Sequence, residues 1–296
     1  MNKELIVVVG PTAIGKTQLA IDLAQHFDTS IISADSRQFY KEMTIGTAVP
    51  SKKELATVPH FCVQHKSILD QYTVRDFENE ALLLIDQIFQ KSNKAILVGG
   101  SGLYAKAVVE GLDDIPDIEP SIREELNKKL EINGLSSLVS QLRETDPAII
   151  TFIDLQNPRR VIRALEVVMS TGQSLLTFQK HQKEKRPFLV KIIGLTTDRN
   201  KLYERIERRV DLMIANGLVE EVEGLFEHQH LNALQTVGYR EIFDFIKGAE
   251  TLENAILKIK QNSRRFAKRQ LTFFNNQMQV EWHDCSTPVE KIIETL

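Results

Sequence analysis

The stretch GPTAIGKT, Gly10 through Thr17, restricts what this chain can fold into more than any other. It follows a continuous apolar run at residues 5–9 and precedes apolar residues at Leu19, Ala20, Leu23 and Ala24. The run reads as a strand buried on both faces, and the later spacing reads as a helix. GxxxxGK[ST] in a strand–loop–helix setting is a phosphate loop: successive backbone N–H groups form an anion nest at a helix N-terminus, where the dipole favours negative charge. Lys16 adds a mobile cation, and Thr17 supplies a hydroxyl suited to Mg²⁺. A turn that merely needs two glycines would explain the letters but not their setting. Such a loop recognises a diphosphate; nothing in it demands adenine or phosphoryl transfer.

Strands and helices alternate through the first third of the chain. Ile31-Ile32-Ser33 is a second strand, residues 76–89 a helix, and residues 95–98 another buried strand closed by Gly99-Gly100. This pattern predicts a parallel α/β sheet with right-handed crossovers. From Asp113 an acidic, proline-punctuated linker takes over, and Ser121 with Glu124 fits a helix-capping box. Helical patterns follow at residues 134–144 and 158–170, and no strand returns until residues 188–195. Residues 113–187 are therefore expected to form an all-helical insertion within a core made of 1–112 and 188–296. Helices at 200–216, 218–228 and 250–275 and a last strand at 278–282 complete the reading.

Composition is that of an ordinary globular chain: 42% hydrophobic and 26% charged residues over 296, which argues against wholesale disorder. The formal charge of -3 does not by itself favour nucleic acid. Two cysteines, Cys62 and Cys285, lie far apart without metal-ligand spacing, as expected of reduced cytoplasmic thiols. The first ten residues read as a buried strand and not as a signal peptide, and no apolar stretch approaches a membrane span. A cytoplasmic protein with no obligate protein partner is the expectation.

An NTPase would also carry an acidic residue at the end of a later strand, to support the metal. Here the strand at 95–98 ends in Gly-Gly-Ser-Gly, and Asp35, after the second strand, is the nearest candidate acid. Ligands of open α/β sheets collect at the carboxyl ends of the strands, where Asp35 and Ser101 would join the loop. Asp35 could equally cap a turn through Ser36 and Arg37. Two arginine groups, Arg159/Arg160/Arg163 and Arg264/Arg265/Arg269 with Lys268, concentrate positive charge in a slightly acidic chain. Such stripes are either solvated faces or contacts to a phosphate backbone.

The ordered set GPTAIGKT, DSRQFYKEMTIGTA, LDQYTVRDF, VGGSGLY, PRRVIRALE, VGYRE and RRFAKRQLTFF closely resembles the bacterial tRNA dimethylallyltransferases, over nearly the whole chain. The resemblance implies a P-loop NTPase-like parallel sheet flanked by helices, with an all-helical insertion that grips the tRNA anticodon stem-loop. It also implies a reaction: transfer of a dimethylallyl group from dimethylallyl diphosphate to N6 of the adenosine immediately 3′ of the anticodon. The diphosphate would lie on Gly10, Pro11, Thr12, Ala13, Ile14, Gly15, Lys16 and Thr17, with Mg²⁺ at Thr17. Asp35 matches the family's catalytic aspartate; Thr12 and Arg205 match positions near the donor, with Arg208 and Arg209 left as alternatives to Arg205. Expected tRNA contacts are Asp35, Ser36, Arg37, Gln38, Ser101, Arg123, Arg159, Arg160, Val161, Ile162, Arg163, Gly238, Tyr239 and Arg240, with Tyr239 stacking on a nucleotide. Two departures stand out: GGSGLY replaces the usual GGTGLY, and Val49 stands where GTAKP would place a lysine.

Three other readings compete. A P-loop kinase of a small metabolite, binding ATP, would explain residues 10–17 and Asp35 but leave the insertion without a task. An adenylate isopentenyltransferase acting on free AMP, ADP or ATP needs no stem clamp. A non-catalytic RNA-binding module would merely have kept an old phosphate loop.

Overall fold

In the computed structural model, residues 3–179 and 185–296 are described; residues 1, 2 and 180–184, which fall in the expected core and insertion, lie outside them. The chain divides into two compact units, Met1–Gly111 with Lys185–Leu296, and Leu112–Glu184.

The larger unit is built on six strands, β1 (Glu4–Val9), β2 (Ile31–Ser33), β3 (His60–Phe61), β4 (Lys94–Val98), β5 (Leu189–Thr196) and β6 (Glu281–Asp284). Their order is β3-β2-β4-β1-β5-β6, and every pair is parallel. β1 is central, which explains its unbroken apolar run: Leu5, Val7 and Val9 face one core and Ile6 and Val8 the other. β4 alternates in the same way, with Ala95 and Leu97 on one side and Ile96 and Val98 on the other.

The helices follow the strands. α1 (Lys16–His26) starts at Gly15, whose φ of 107° is a left-handed conformation that other residues adopt only with strain. α2 (Lys52–Thr57) and α3 (Val74–Ile88) begin with capping boxes, Ser51 with Glu54 and Thr73 with Asp76. α4 (Gly102–Glu110) follows β4.

The smaller unit holds α5 (Pro120–Thr145) and α6 (Pro158–Thr171), with short 3₁₀ turns at Pro147–Thr151 and Leu175–Phe178. α5 is interrupted at Gly134, whose φ of 74° and ψ of 173° break the helix. Leu126, Leu138, Leu142, Ile149, Val161 and Leu165 form a core of this unit's own. The box expected at Ser121 does not form: Glu119 precedes the helix, Pro120 takes its first position, and Ser121 lies within it. Proline suits that position because its missing N–H would have no intrahelical partner.

Beyond β5 come α7 (Arg199–Ala215), α8 (Leu218–Glu223), α9 (Tyr239–Ile246), α10 (Leu252–Gln277) and α11 (Val289–Ile293). The helix expected at 218–228 stops at Glu223 and continues only as a 3₁₀ turn, Phe226–His228. The strand expected at 278–282 forms later, at Glu281–Asp284, because only from Glu281 does the backbone pair with Ile193 and its successors. Within this unit Tyr40, Met43, Leu218, Tyr239, Ile242 and Ile259 build a third apolar core.

Just before β5, Arg186 donates to buried Glu78 at 2.7 Å and to the carbonyls of Ala107 and Val108 at 2.7 and 2.8 Å. Removing one partner of a buried ion pair leaves the other charge stranded. Arg186→Met should therefore destabilise the protein by about 3 kcal/mol, read as a lower denaturant midpoint with an unchanged slope. An unchanged midpoint would show that Glu78 finds full compensation from Arg75.

Candidate active site

At the carboxyl ends of β1, β2 and β4 lies a cavity of about 400 Å³. Its floor is the loop Thr12, Ala13, Ile14, Gly15, Lys16 and Thr17. Gly10 and Pro11, also expected to hold the anion, stand behind that floor. A Cβ on Gly10 would come within 2.7 Å of the Leu195 carbonyl, and the Pro11 carbonyl accepts the Lys16 ammonium at 2.8 Å. Their contribution is to the shape of the backbone.

The electrostatics of the floor are unbalanced. Burial pushes the Lys16 ammonium down to about 8, Asp35 counteracts this, and Arg209 adds to it. Burial also lowers the Arg209 guanidinium, with Asp35 again opposing. Arg209 donates to the Thr12 hydroxyl at 3.1 Å. Arg205 lines the cavity from the same helix, and donates to the Cys285 thiol at 3.0 Å. Three cations thus border a cavity floored by backbone amides, with Asp35 and Glu54 as carboxylates on its lining. The row of amides with Lys16, Arg205 and Arg209 suits an anion.

Asp35 caps a turn and also lines the cavity. Its Oδ1 accepts the Arg37 amide at 3.1 Å, capping a turn, while the side chain lines the cavity opposite the loop. Oδ2 has no hydrogen-bond partner among the described residues. The Thr17 hydroxyl, also on the cavity, has no protein partner among the described residues either. A hydroxyl and a carboxylate in one cavity are hard oxygen donors of the kind that suit Mg²⁺.

Sequence reasoning left Arg209 unresolved and missed Gln270. Arg209 lies one turn beyond Arg205 on α7, so both reach the same cavity, whereas Arg208 does not line it. Gln270 is buried; its Oε1 accepts the Thr12 amide at 2.9 Å, and its Nε2 donates to the Gly100 carbonyl at 2.9 Å. It straps the phosphate loop to the loop after β4. The available signal was a polar residue inside the buried seam Ala267, Gln270, Phe274 of α10.

The expected tRNA contacts separate into three groups. Ser36, Arg37, Gln38 and Ser101 are knit together around the cavity rim. Ser36 donates its amide to the Ser101 hydroxyl at 3.0 Å, and Arg37 reaches the Asn232 and Ala233 carbonyls, both at 2.9 Å. Arg159, Arg160 and Arg240 are exposed, and burial, then the charges of Arg240 and Arg265, lower the Arg269 guanidinium. In the smaller unit Arg123 and Arg163 engage buried Glu166. The third group is corrected by the structure: Val161 and Ile162 are buried in the core of the smaller unit, and Gly238 is buried at the start of α9. Tyr239 is fully buried with its hydroxyl on Glu221 at 2.6 Å, so its ring packs within the protein and is not available to stack on a base.

Away from the cavity, Cys62, His65 and Glu80 bring ligand-type atoms within 4.8 Å of one another. Lys66 and Tyr72 already engage the Glu80 carboxylate, and burial pushes the Cys62 thiol up to about 12, so the cluster holds a neutral thiol beside a satisfied acid.

Residues 38–277 match the family described as IPP transferase. The chain belongs to that family. Among curated relatives, it is 52% identical to the tRNA dimethylallyltransferase of Christiangramia forsetii over 96% of this chain and 94% of that protein. To the enzyme of the same name from Flavobacterium psychrophilum it is 48% identical, over 99% and 97%. Among solved structures, the tRNA isopentenylpyrophosphate transferase of Bacillus halodurans superposes with a TM-score of 0.72 at 38% identity, covering 99% of this chain and 94% of that one. A eukaryotic dimethylallyltransferase acting on tRNA superposes with a TM-score of 0.82 at 26% identity, covering 98% and 78%. The fold shared with these family members is P-loop NTPase-like.

A buried lysine depressed to about 8 titrates where affinity can be measured. Above that pH the free protein carries neutral Lys16, and an incoming anion restores its charge. Near pH 8 pyrophosphate binding should therefore take up more protons than it does in Lys16→Met, seen by calorimetry in buffers of different ionisation enthalpy. Equal uptake in the variant would remove Lys16 from the site.

Proposed function

We propose that this chain, a tRNA-prenylating enzyme, transfers a dimethylallyl group from dimethylallyl diphosphate to N6 of the adenosine immediately 3′ of the anticodon, giving N6-(dimethylallyl)adenosine. The observation that carries this reading is the pairing, in one cavity, of an amide-and-cation cup with a carboxylate oxygen that has no hydrogen-bond partner among the described residues. The exocyclic amine of adenine is a weak nucleophile because its lone pair is delocalised into the ring. As N6 attacks the allylic carbon of the donor, the C–O bond to diphosphate breaks and its electron pair leaves with the diphosphate. The N6 proton passes to Asp35 Oδ2. Charge growing on the departing group is met by the amides of residues 13–17, Lys16 and Arg209, all in place before the reaction.

Mg²⁺, held at the Thr17 hydroxyl, would neutralise part of the diphosphate charge. Thr12 is fixed by Gln270, which accepts its amide, and by Arg209, which donates to its hydroxyl, and this holds the first turn of the loop in place.

The acceptor base must leave its stack to enter the cavity, which calls for a grip on the surrounding stem-loop. The exposed guanidinium groups of Arg159 and Arg160 in the smaller unit, and of Arg240, Arg265 and Arg269 in the larger, suit phosphate contacts. A free adenylate acceptor would leave them without a role. Among the described residues no helix is long and apolar enough to cross a membrane, and both cysteines are free thiols, which fits work on tRNA in the cytoplasm.

Asp35→Asn keeps the cavity's shape and removes the proton acceptor. Transfer should fall by about 10²- to 10⁴-fold, read by mass spectrometry of nucleosides from treated tRNA, while tRNA and pyrophosphate affinities hold. Turnover equal to the unsubstituted protein would exclude Asp35 as the base.

A further inference from the structure

Residues 44–46 turn three consecutive backbone N–H groups toward one carboxylate, that of Glu221 on α8. The amides of Thr44 and Ile45 reach Oε2 at 3.0 and 2.7 Å, and that of Gly46 reaches Oε1 at 3.0 Å. The Tyr239 hydroxyl donates to the same Oε1 at 2.6 Å. Four donors converge on two oxygens, an anion nest closed by an internal anion. Burial, with the carboxylate beside it, pushes the Tyr239 phenol far up and keeps it a donor. Its ring lies so close to Gly46 that a Cβ there would meet it at 2.5 Å.

Immediately beyond the nest, the Thr47 and Ala48 carbonyls accept the Gln38 amide at 3.2 and 3.0 Å. Ala48, Val49 and Pro50 then form one wall of the cavity that contains Asp35, and Gln38 lies in the turn that Asp35 caps.

We propose that Glu221 is a positioning residue for the transfer reaction: its clasp on residues 44–46 and Tyr239 sets the wall at 48–50 and, through Gln38, the turn that aims Asp35 at the acceptor amine. Glu221 touches neither the cavity nor the reacting atoms. This inference rests on the tRNA-prenylation reading. The phosphate loop takes no part in the clasp, so loss of the clasp separates acceptor turnover from diphosphate binding, which a general loss of folding would not do.

The test compares Glu221→Gln, Tyr239→Phe and Gly46→Ala by kinetics on tRNA, pyrophosphate calorimetry and hydrogen exchange at the amides of residues 44–46. In Glu221→Gln, any orientation of the new amide sets an NH₂ against inward-pointing donors. That variant should lose about 10- to 100-fold in kcat/KM for tRNA, the scale of a 1 Å misplacement, with pyrophosphate affinity unchanged and faster exchange at 44–46. Tyr239→Phe removes one donor of four and should shift all readouts the same way by less. If Glu221→Gln does not fold, Gly46→Ala moves the loop off the Tyr239 ring without altering charge and should give the same split. Full activity with fast exchange at 44–46 would overturn the proposal, as would pyrophosphate binding lost in step with turnover. Protein that never modifies tRNA would sink the proposed function instead, while the exchange data would still decide the clasp.

Discussion

An ammonium group held out of water, with a carbonyl as its hydrogen-bond partner, is the constraint around which this site is arranged. Lys16 sits at the start of α1, and the loop that turns it inward also presents a row of backbone amides. Burial costs the lysine part of its charge unless an anion arrives, and Arg209 presses in the same direction. Asp35 opposes this shift. The arrangement is one whose charges suit an anion. The central place of β1, flanked by β4 and β5, brings loop, acid and arginines to one rim.

The parts of this arrangement that were legible in the sequence share a physical cause. β1 and β4 are buried on both faces, so their side chains form unbroken apolar runs, and the phosphate loop has a spacing dictated by backbone geometry. What the sequence hid depends on which way a side chain points after folding. Arg205, Arg208 and Arg209 are near neighbours in sequence, and only the pitch of α7 decides that the first and third share the cavity. Val161, Ile162 and Tyr239 stand among basic residues, yet helical periodicity turns them into cores. α9 and α4 follow glycines in stretches whose motifs drew attention to chemistry instead of to periodicity. The break of α5 falls at Gly134, where the sequence already begins a second helical pattern after the one near Ser121.

Several residues expected to touch tRNA prove to be tied to one another. Ser36 with Ser101, Arg37 with the carbonyls before α9, and Gln38 with the 47–48 backbone make the rim a hydrogen-bonded frame. On the proposed reading, such a frame holds a weak nucleophile opposite an allylic carbon, and orientation accounts for much of the barrier lowered in group transfer. Gln270 and Glu221 extend the frame, one bracing the phosphate loop and the other the opposite wall.

The most direct measurement is a crystal structure of the protein with an unreactive thio-analogue of dimethylallyl diphosphate and an anticodon stem-loop. The expected result has the diphosphate on the amides of residues 13–17 beside Lys16, with adenine N6 within hydrogen-bond reach of Asp35 Oδ2. A diphosphate seated elsewhere, or an N6 facing some other base, would contradict it.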